Sequence, residues 1–293
     1  MTHCGYIALV GRPNVGKSTL LNHVLRQKIT ITSRKPQTTR HNLLGVDTEA
    51  ARQAIYVDTP GIHDDTGRKI NQYMVRSATS VLADVDLVVM LIDRGVWTEQ
   101  DDLVVSHVRR SGKRAFAVIN KADLVQDKSR LLPVMAQLDE LDLFEEVIPL
   151  SALKNEGVEL FRELVFASLP ENPHLFPDDQ ITDQNERFLV SEIIREKLMR
   201  RLGDELPHRA TVMIERFDAS DDVIDINAEI FVERQGQKRI VIGKEGAKLK
   251  SIGTEARKDI EQLLDARVML NLWVKVRSNW TDDAAAMRRF GYD

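Results

Sequence analysis

Residues Gly11–Ser18 read GRPNVGKS, a match to the pattern G-x-x-x-x-G-K-[ST]. No other feature restricts the fold of the chain as strongly. A loop of this kind belongs between a β-strand and an α-helix. The apolar run Ile7–Val10 precedes it, and an amphipathic stretch, Lys17–Leu25, follows. Glycines let backbone N–H groups curl around phosphate oxygens with no Cβ in the way. The helix N-terminus adds its positive dipole end. The loop residues are Gly11, Arg12, Pro13, Asn14, Val15, Gly16, Lys17, Ser18 and Thr19. Lys17 can reach the outer phosphates, and Ser18 offers a hydroxyl to Mg²⁺.

The strand–helix alternation continues beyond the loop. Expected strands are Ala54–Val57, Leu87–Ile92, Ala115–Ile119 and Val147–Pro149, with helical patterns at Glu99–Ser111 and Leu131–Leu141. The strand runs are apolar throughout, as in parallel strands covered on both faces. The expected class is α/β with a parallel-rich sheet. A length of 293 residues leaves room for about two domains. Pro170, Pro173, Pro177, Asp178 and Asp179 break any helix, so residues 171–183 read as a linker after a first domain of 1–170. With 43% hydrophobic and 29% charged residues, a disordered, collagen-like or multi-span membrane chain is excluded. The lone Cys4 excludes an internal disulfide and a cysteine-rich zinc site. Tyr6–Val10 is too short for a secretory signal and lacks a basic lead-in. A cytoplasmic setting is expected.

Two further motifs sit at strand ends. DTPG at Asp58–Gly61 follows Ala54–Val57. A strand-end carboxylate can hold Mg²⁺, and Gly61 can bring its backbone N–H to a γ-phosphate, with Thr59 and Pro60 between them. NKAD at Asn120–Asp123, with Lys121 inside it, follows Ala115–Ile119. Guanine presents N1–H and a 2-amino group side by side, and an acceptor-only carboxylate such as that of Asp123 can take both. Adenine would leave it unpaired, a difference of about 10⁴–10⁵ in sites built this way. Ser151 and Ala152, after the last strand, would complete the base pocket through a backbone N–H. Between Gly16 and Asp58 a threonine should reach the metal, and the candidates are Thr30, Thr32, Thr38 and Thr39.

The second half carries net charge −4 against zero in residues 1–170, yet Arg234–Lys250 holds six basic side chains against Glu245 alone. They surround VIGKEG at 241–246, a GxxG taken here to lie between a strand, Lys238–Ile242, and a long helix to about Asp265. KH domains use GxxG to clamp about four nucleotides along the backbone. The candidate RNA contacts are Arg239, Gly243, Lys244, Glu245, Gly246, Lys248 and Lys250. Around them lie a helix, Asn185–Leu202, a hairpin of Ala210–Phe217 and Val223–Glu233 with an acidic turn at Asp218–Asp222, and a strand near Val268–Val276. That order suggests an α+β type II KH fold over 184–280, with a tail of 281–293 containing a short helix. Trp273 reads as core in an alternating strand. Trp280 is left open between core and base stacking.

The four N-terminal motifs together resemble those of Ras-like GTPases. Gln37-Thr38-Thr39-Arg40 is similar to the first switch of the Era, Der and TrmE class, a resemblance that favours Thr39, with Thr38 second, as the threonine that reaches the metal. Beyond the motifs, residues 33–45, 181–208, 241–261 and 272–280 resemble the Era family over the full length. That resemblance implies GTP/GDP binding and hydrolysis with Lys17, Thr39 and Gly61 catalytic, and Mg²⁺ held by Ser18, Thr39 and Asp58. It implies a K⁺ ion at Asn14, whose other reading is a loop brace. It also implies binding to the 3′ end of 16S ribosomal RNA and the 30S subunit, and a monomer associated peripherally with the inner membrane. Ile62 stands where Ras-type enzymes carry a water-orienting Gln, so slow intrinsic hydrolysis is expected; neighbouring His63 reads as a bystander. Two alternatives are a P-loop phosphotransferase with a small-molecule acceptor, and a GTPase whose C-terminal domain is a protein-interaction module.

Overall fold

The computed structural model describes residues 1–62, 67–203, 207–219 and 222–292, and His63, Ser220 and Asp221 lie outside them. Two compact units emerge, Met1–Thr66 with Met74–Asp183, and Gly67–Tyr73 with Gln184–Asp293.

In the first unit the strands are β1 (His3–Val10), β2 (Leu43–Glu49), β3 (Arg52–Asp58), β4 (Leu87–Asp93), β5 (Arg114–Asn120) and β6 (Glu146–Pro149). They form one sheet in the order β2-β3-β1-β4-β5-β6, with β2 antiparallel to β3 and the remaining pairings parallel. The helices are α1 (Lys17–Val24), the Met74–Ser80 part of α2 (Lys69–Ser80), α3 (Glu99–Ser111), α4 (Leu132–Glu140) and α5 (Val158–Ser168). Ala8, Val10, Val88, Met90, Ile92, Ala117 and Ile119 pack a core with Val104 and Val108 of α3. Strand order reverses between β1 and β4, and open α/β sheets hold ligands at such a switch point, outside the carboxyl ends of the strands. The phosphate loop, Asp58 and Asn120 all stand at those ends.

Strand β2 is not among the expected strands. It is the sheet edge, its sequence LLGVDTE carries no sustained apolar run, and it is secured by polar contacts. The buried Arg162 of α5 donates to both oxygens of Asp47, at 2.7 and 3.0 Å. Residues 171–183 lie along this edge. Gln53 Oε1 accepts from the N–H groups of Leu175 and Phe176, Val46 N–H donates to the Ile181 carbonyl, and Thr182 Oγ1 donates to the Leu44 carbonyl.

In the second unit α6 (Glu186–Arg201) precedes β7 (Thr211–Asp218) and β8 (Val223–Val232), an antiparallel pair; β9 (Arg267–Val276) pairs parallel to β8 at the other side. The helices α7 (Gln235–Ile242) and α8 (Ala247–Leu264) follow β8, and α9 (Ala284–Arg289) closes the chain. Val190, Ile194 and Leu198 of α6, Ile252, Ala256 and Ile260 of α8, and Ile226, Ala228 and Ile230 of β8 form the core. This is the type II KH arrangement.

Two sequence expectations need correction. Lys238–Ile242 belongs to helix α7, so GxxG joins two helices. Ile240, Val241 and Ile242 mimic a strand, but Gln237 Oε1 accepts from the N–H groups of Glu233 and Arg234 and caps the turn, and Val241 turns inward. Trp273 is not core; it is 46% exposed. Leu270, Leu272 and Val274 face the helices, and strand alternation puts Trp273 on the opposite face of the edge strand. Trp280 is the buried tryptophan. Its indole N–H donates to the Arg209 carbonyl, and it packs with Ile70, Met287, Phe290 and Tyr292. Among the described residues no helix is long and apolar enough to cross a membrane.

Candidate nucleotide and RNA sites

The phosphate loop leaves β1 at Gly11, whose φ of 146° and close approach to the Leu91 carbonyl admit no side chain. Gly16 is equally constrained: a Cβ there would lie 2.2 Å from Asn120 Nδ2. Lys17, buried in the first turn of α1, donates to the carbonyls of Gly11 and Arg12 at 3.0 and 3.3 Å. Burial pushes its pKa down to about 8, against the opposing pull of Asp58. Arg12 is tied outward to Asp101 of α3 at 3.2 Å. Val15 is buried, Pro13 packs beside Gly61, and Thr19 continues α1.

Three oxygen-bearing side chains from three segments converge beside Lys17. Ser18 Oγ donates to Asp58 Oδ2 at 2.6 Å and lies 2.8 Å from Thr39 Oγ1, which is 3.3 Å from the same carboxylate oxygen. Among the described residues Asp58 Oδ1 is buried without a hydrogen-bond partner. Burial raises the Asp58 pKa to about 6, partly offset by Ser18, Lys17 and Thr39. Hydroxyl and carboxylate oxygens around an unpaired buried carboxylate oxygen fit a small hard cation such as Mg²⁺. Thr38 is turned elsewhere, to Ser33 Oγ and the Lys35 carbonyl.

Thr59 Oγ1 donates to the Leu9 carbonyl at 2.7 Å, which fixes the start of the turn through Pro60. Gly61 follows, where a Cβ would sit 2.6 Å from the Pro13 nitrogen. Ile62 is buried, and its N–H donates to the Gly11 carbonyl at 3.2 Å. The side chain beside the phosphate loop therefore carries no group able to orient water.

The base motif is built around Asn120. Its amide donates to the Val15 carbonyl at 2.8 Å, and its Oδ1 accepts from the N–H groups of Lys121 and Ala152. Lys121 adopts the left-handed region at φ 60° and extends its ammonium to the Asn14 carbonyl at 2.7 Å and Asp93 Oδ2 at 3.0 Å. Asp123 Oδ1 accepts from Ser151 Oγ at 2.6 Å, which holds the carboxylate edge in orientation. Asn14, itself at φ 65°, donates its amide to the Arg34 carbonyl at 3.0 Å. Sequence reasoning misses Asp93. The signal for it is the one that marks Asp58, a carboxylate at the end of an apolar strand.

In the second unit the α7–α8 junction is a tight left-handed turn. Gly243, Glu245 and Gly246 have φ of 74°, 51° and 79°. A Cβ on Gly243 would meet Lys248 Cβ at 2.7 Å. Lys244 and Glu245 project into solvent at the N-terminus of α8. Arg239 and Lys250 are exposed and Lys248 is half-buried. Among the described residues none of Arg234, Lys238, Arg239, Lys244, Lys248 and Lys250 forms an ion pair, while Lys197, Arg200, Arg201, Arg209, Arg216 and Lys275 of the same unit do. Unpaired cations concentrated at a glycine turn and a helix N-terminus suit a phosphate backbone.

A phosphate loop, a convergent Ser–Thr–Asp cluster and an N-K-x-D base motif on a sheet of this order define a Ras-like P-loop GTPase, here followed by a KH domain. Comparison with known proteins agrees. A family model described as 50S ribosome-binding GTPase matches residues 6–121, and a KH-domain model matches residues 205–281. GTPase Era of Pseudomonas fluorescens Pf-5 is 53% identical over 99% of this chain and 97% of its own length. GTPase Era of Ectopseudomonas mendocina is 52% identical over 100% of this chain and 98% of its own. The fold matches a crystal structure of Era in complex with MgGDPNP and nucleotides 1506–1542 of 16S ribosomal RNA, with TM-score 0.97, 37% identity and coverage of 100% and 99% of the two chains. It also matches an Aquifex aeolicus Era variant bound to GDP·AlF4⁻, with TM-score 0.96, 37% identity and 99% coverage of each chain. The chain belongs to the Era family of GTPases.

Proposed function

We propose that this GTPase is a nucleotide-controlled switch that binds the 3′ end of 16S ribosomal RNA and serves maturation of the 30S subunit. The observation that carries this reading is the match, over all of this chain, to the Era complex with MgGDPNP and a 16S fragment. The unpaired cations around Gly243–Gly246 supply the matching chemistry on the RNA side.

On the nucleotide side, Gly11–Thr19 cradle the phosphates and Lys17 neutralises their charge. Asp58, Ser18 and Thr39 would hold Mg²⁺, which when bound would offset the charge that develops on the phosphates. Gly61 N–H is assigned to the γ-phosphate, while Thr59 and Pro60 shape that turn. Asn120, Lys121, Asp123, Ser151 and Ala152 form the base pocket. Hydrolysis joins a water oxygen to the γ-phosphorus and breaks the bond to the β–γ bridging oxygen, leaving GDP and phosphate. Ile62 offers that water no hydrogen bond, so intrinsic turnover is slow. A K⁺ ion beside Asn14 is part of the same proposal, with the Arg34 carbonyl as a neighbouring oxygen donor. The segments 33–45 and 61–75 are the switches that γ-phosphate orders. RNA contacts are assigned to Arg239, Gly243, Lys244, Glu245, Gly246, Lys248 and Lys250.

Domain limits of 1–170, a linker of 171–183, 184–280 and a tail of 281–293 go with this reading. So do a monomeric state and a cytoplasmic location with peripheral inner-membrane contact, which rest on the family resemblance. The test is GTP turnover with no acceptor present, together with binding of a 16S 3′-end RNA against a shuffled RNA. Phosphate release and selective binding support the proposal. Turnover that requires a small-molecule acceptor, or equal binding of both RNAs, contradicts it.

A further inference from the structure

We infer that Asp93 is a positioning residue for GTP hydrolysis, acting through Lys121 and Asn14 on the first switch. The inference rests on the family reading of Asn120–Asp123 and of segment 33–45. Asp93 ends β4 directly opposite Asn120 of β5 and is buried. Its Oδ1 accepts from Arg94 Nε at 3.1 Å and its Oδ2 from Lys121 Nζ at 3.0 Å. The same ammonium donates to the Asn14 carbonyl at 2.7 Å. Asn14 in turn donates its amide to the Arg34 carbonyl at 3.0 Å. Four residues from four separate segments thus form one chain of contacts, from the base motif across the phosphate loop to the switch.

The backbone along this chain explains why an anchor is needed. Asn14, Lys121 and Arg94 all occupy the left-handed region, at φ 65°, 60° and 53°. Each such conformation in a non-glycine residue persists because surrounding contacts over-determine it. Lys121 is long and 30% exposed, so without a carboxylate its ammonium gains by swinging into water. The Asn14 carbonyl then loses its charged donor. The loop is freed to leave the conformation that aims the Asn14 amide at Arg34. Among the described residues the side-chain donors to the Asp93 carboxylate are Arg94 and Lys121. Its effect reaches the reaction through where Lys121 holds Asn14.

The test uses the full chain at saturating Mg²⁺ and GTP. Asp93→Asn should lower kcat by about tenfold, equivalent to about 1.4 kcal/mol of barrier. GDP affinity should fall by less than about threefold, because Asp123 and the phosphate cradle remain. Asp93→Glu, which keeps the carboxylate, should stay within about threefold of the parent in kcat. In an Asn14→Ala background, where the contact to Arg34 is already gone, adding Asp93→Asn should change kcat by less than about twofold. Amide exchange over residues 33–42 in the GTP-analogue-bound protein should quicken in Asp93→Asn. Additive losses in the double variant, an unchanged kcat in Asp93→Asn, or an equal loss in Asp93→Glu would overturn the inference. Failure of the parent chain to turn over GTP would instead overturn the family reading on which it rests.

Discussion

Ser18 Oγ sits 2.6 Å from Asp58 Oδ2 across forty residues of sequence. That contact joins the first turn of α1 to the end of β3, and Thr39 meets both partners from the intervening loop. The cluster separates the two switch threonines that the sequence leaves in competition. Thr39→Ala should slow hydrolysis by about 10- to 100-fold, the scale on which a metal shell loses function. Thr38→Ala, which disturbs contacts to Ser33 and Lys35, should cost several-fold at most. Single-turnover phosphate release at fixed Mg²⁺ measures both, and equal losses would contradict the assignment.

Titration of the empty site follows from two buried groups. Asp58 is held up to about 6 and Lys17 down to about 8. Below pH 6 the carboxyl is protonated and repels nothing but also binds no cation. Above pH 8 the ammonium is lost. Mg²⁺-nucleotide association with the free protein should therefore be fastest between about pH 6 and pH 8. The stability signs agree. Between pH 4 and 6 the folded Asp58 keeps a proton that the unfolded one has lost, so stability falls as pH rises. Between pH 8 and 10.5 the unfolded Lys17 keeps the proton, so stability rises. From these two groups the nucleotide-free protein is least stable between those windows, where added nucleotide should raise Tm most. Thermal melts with and without Mg²⁺·GDP across pH check this.

The proposed base pocket makes the Asp123 carboxylate the group that selects the base. Asp123→Asn puts an amide against guanine's donors and should weaken GTP binding by about 10³- to 10⁴-fold. Xanthine, which carries a carbonyl at position 2, accepts from that amide, so XTP should become the better ligand. Competition binding of the two nucleotides reads the exchange.

RNA binding should depend on charge at the α7–α8 turn. Replacing Lys244 and Glu245 together by Asp keeps Gly243 and Gly246, the first of which has no room for a side chain. Aspartate also tolerates the left-handed conformation at position 245. The pair should lower RNA affinity by tenfold or more with GTP hydrolysis unchanged. Substituting the glycines themselves would confound folding with binding.

The two tryptophans should differ in kind. Trp280→Ala opens the cluster with Met287, Phe290 and Tyr292 and should cost about 3–5 kcal/mol in urea unfolding. Trp273→Ala, on the open sheet face, should change stability by about 0.5 kcal/mol or less.

Strands and motifs of the first unit are legible because they coincide: apolar runs end at Gly11, Asp58 and Asn120, and parallel strands buried on both faces leave an unmistakable signature. What is not legible is edge structure and long-range polarity. Strand β2 holds its place through the Asp47–Arg162 pair, whose members are 115 positions apart. Helix α7 hides behind a β-branched triplet because its cap comes from Gln237, a side chain with no distinctive pattern. Trp273 is exposed where the core is expected because period-2 alternation names two faces without saying which is buried. Asp93 escapes notice because its meaning depends on Lys121, which reaches it only once β4 and β5 are aligned.

A nucleotide-controlled RNA switch requires that nucleotide state and RNA binding be coupled in one chain. The most direct measurement is the affinity of a labelled RNA from the 3′ end of 16S ribosomal RNA, at stated salt, with a GTP analogue and with GDP, beside a shuffled RNA. Binding should be tight, sequence-selective and stronger in the GTP-analogue form. Equal affinity in both nucleotide states, or weak binding that ignores sequence, would contradict it.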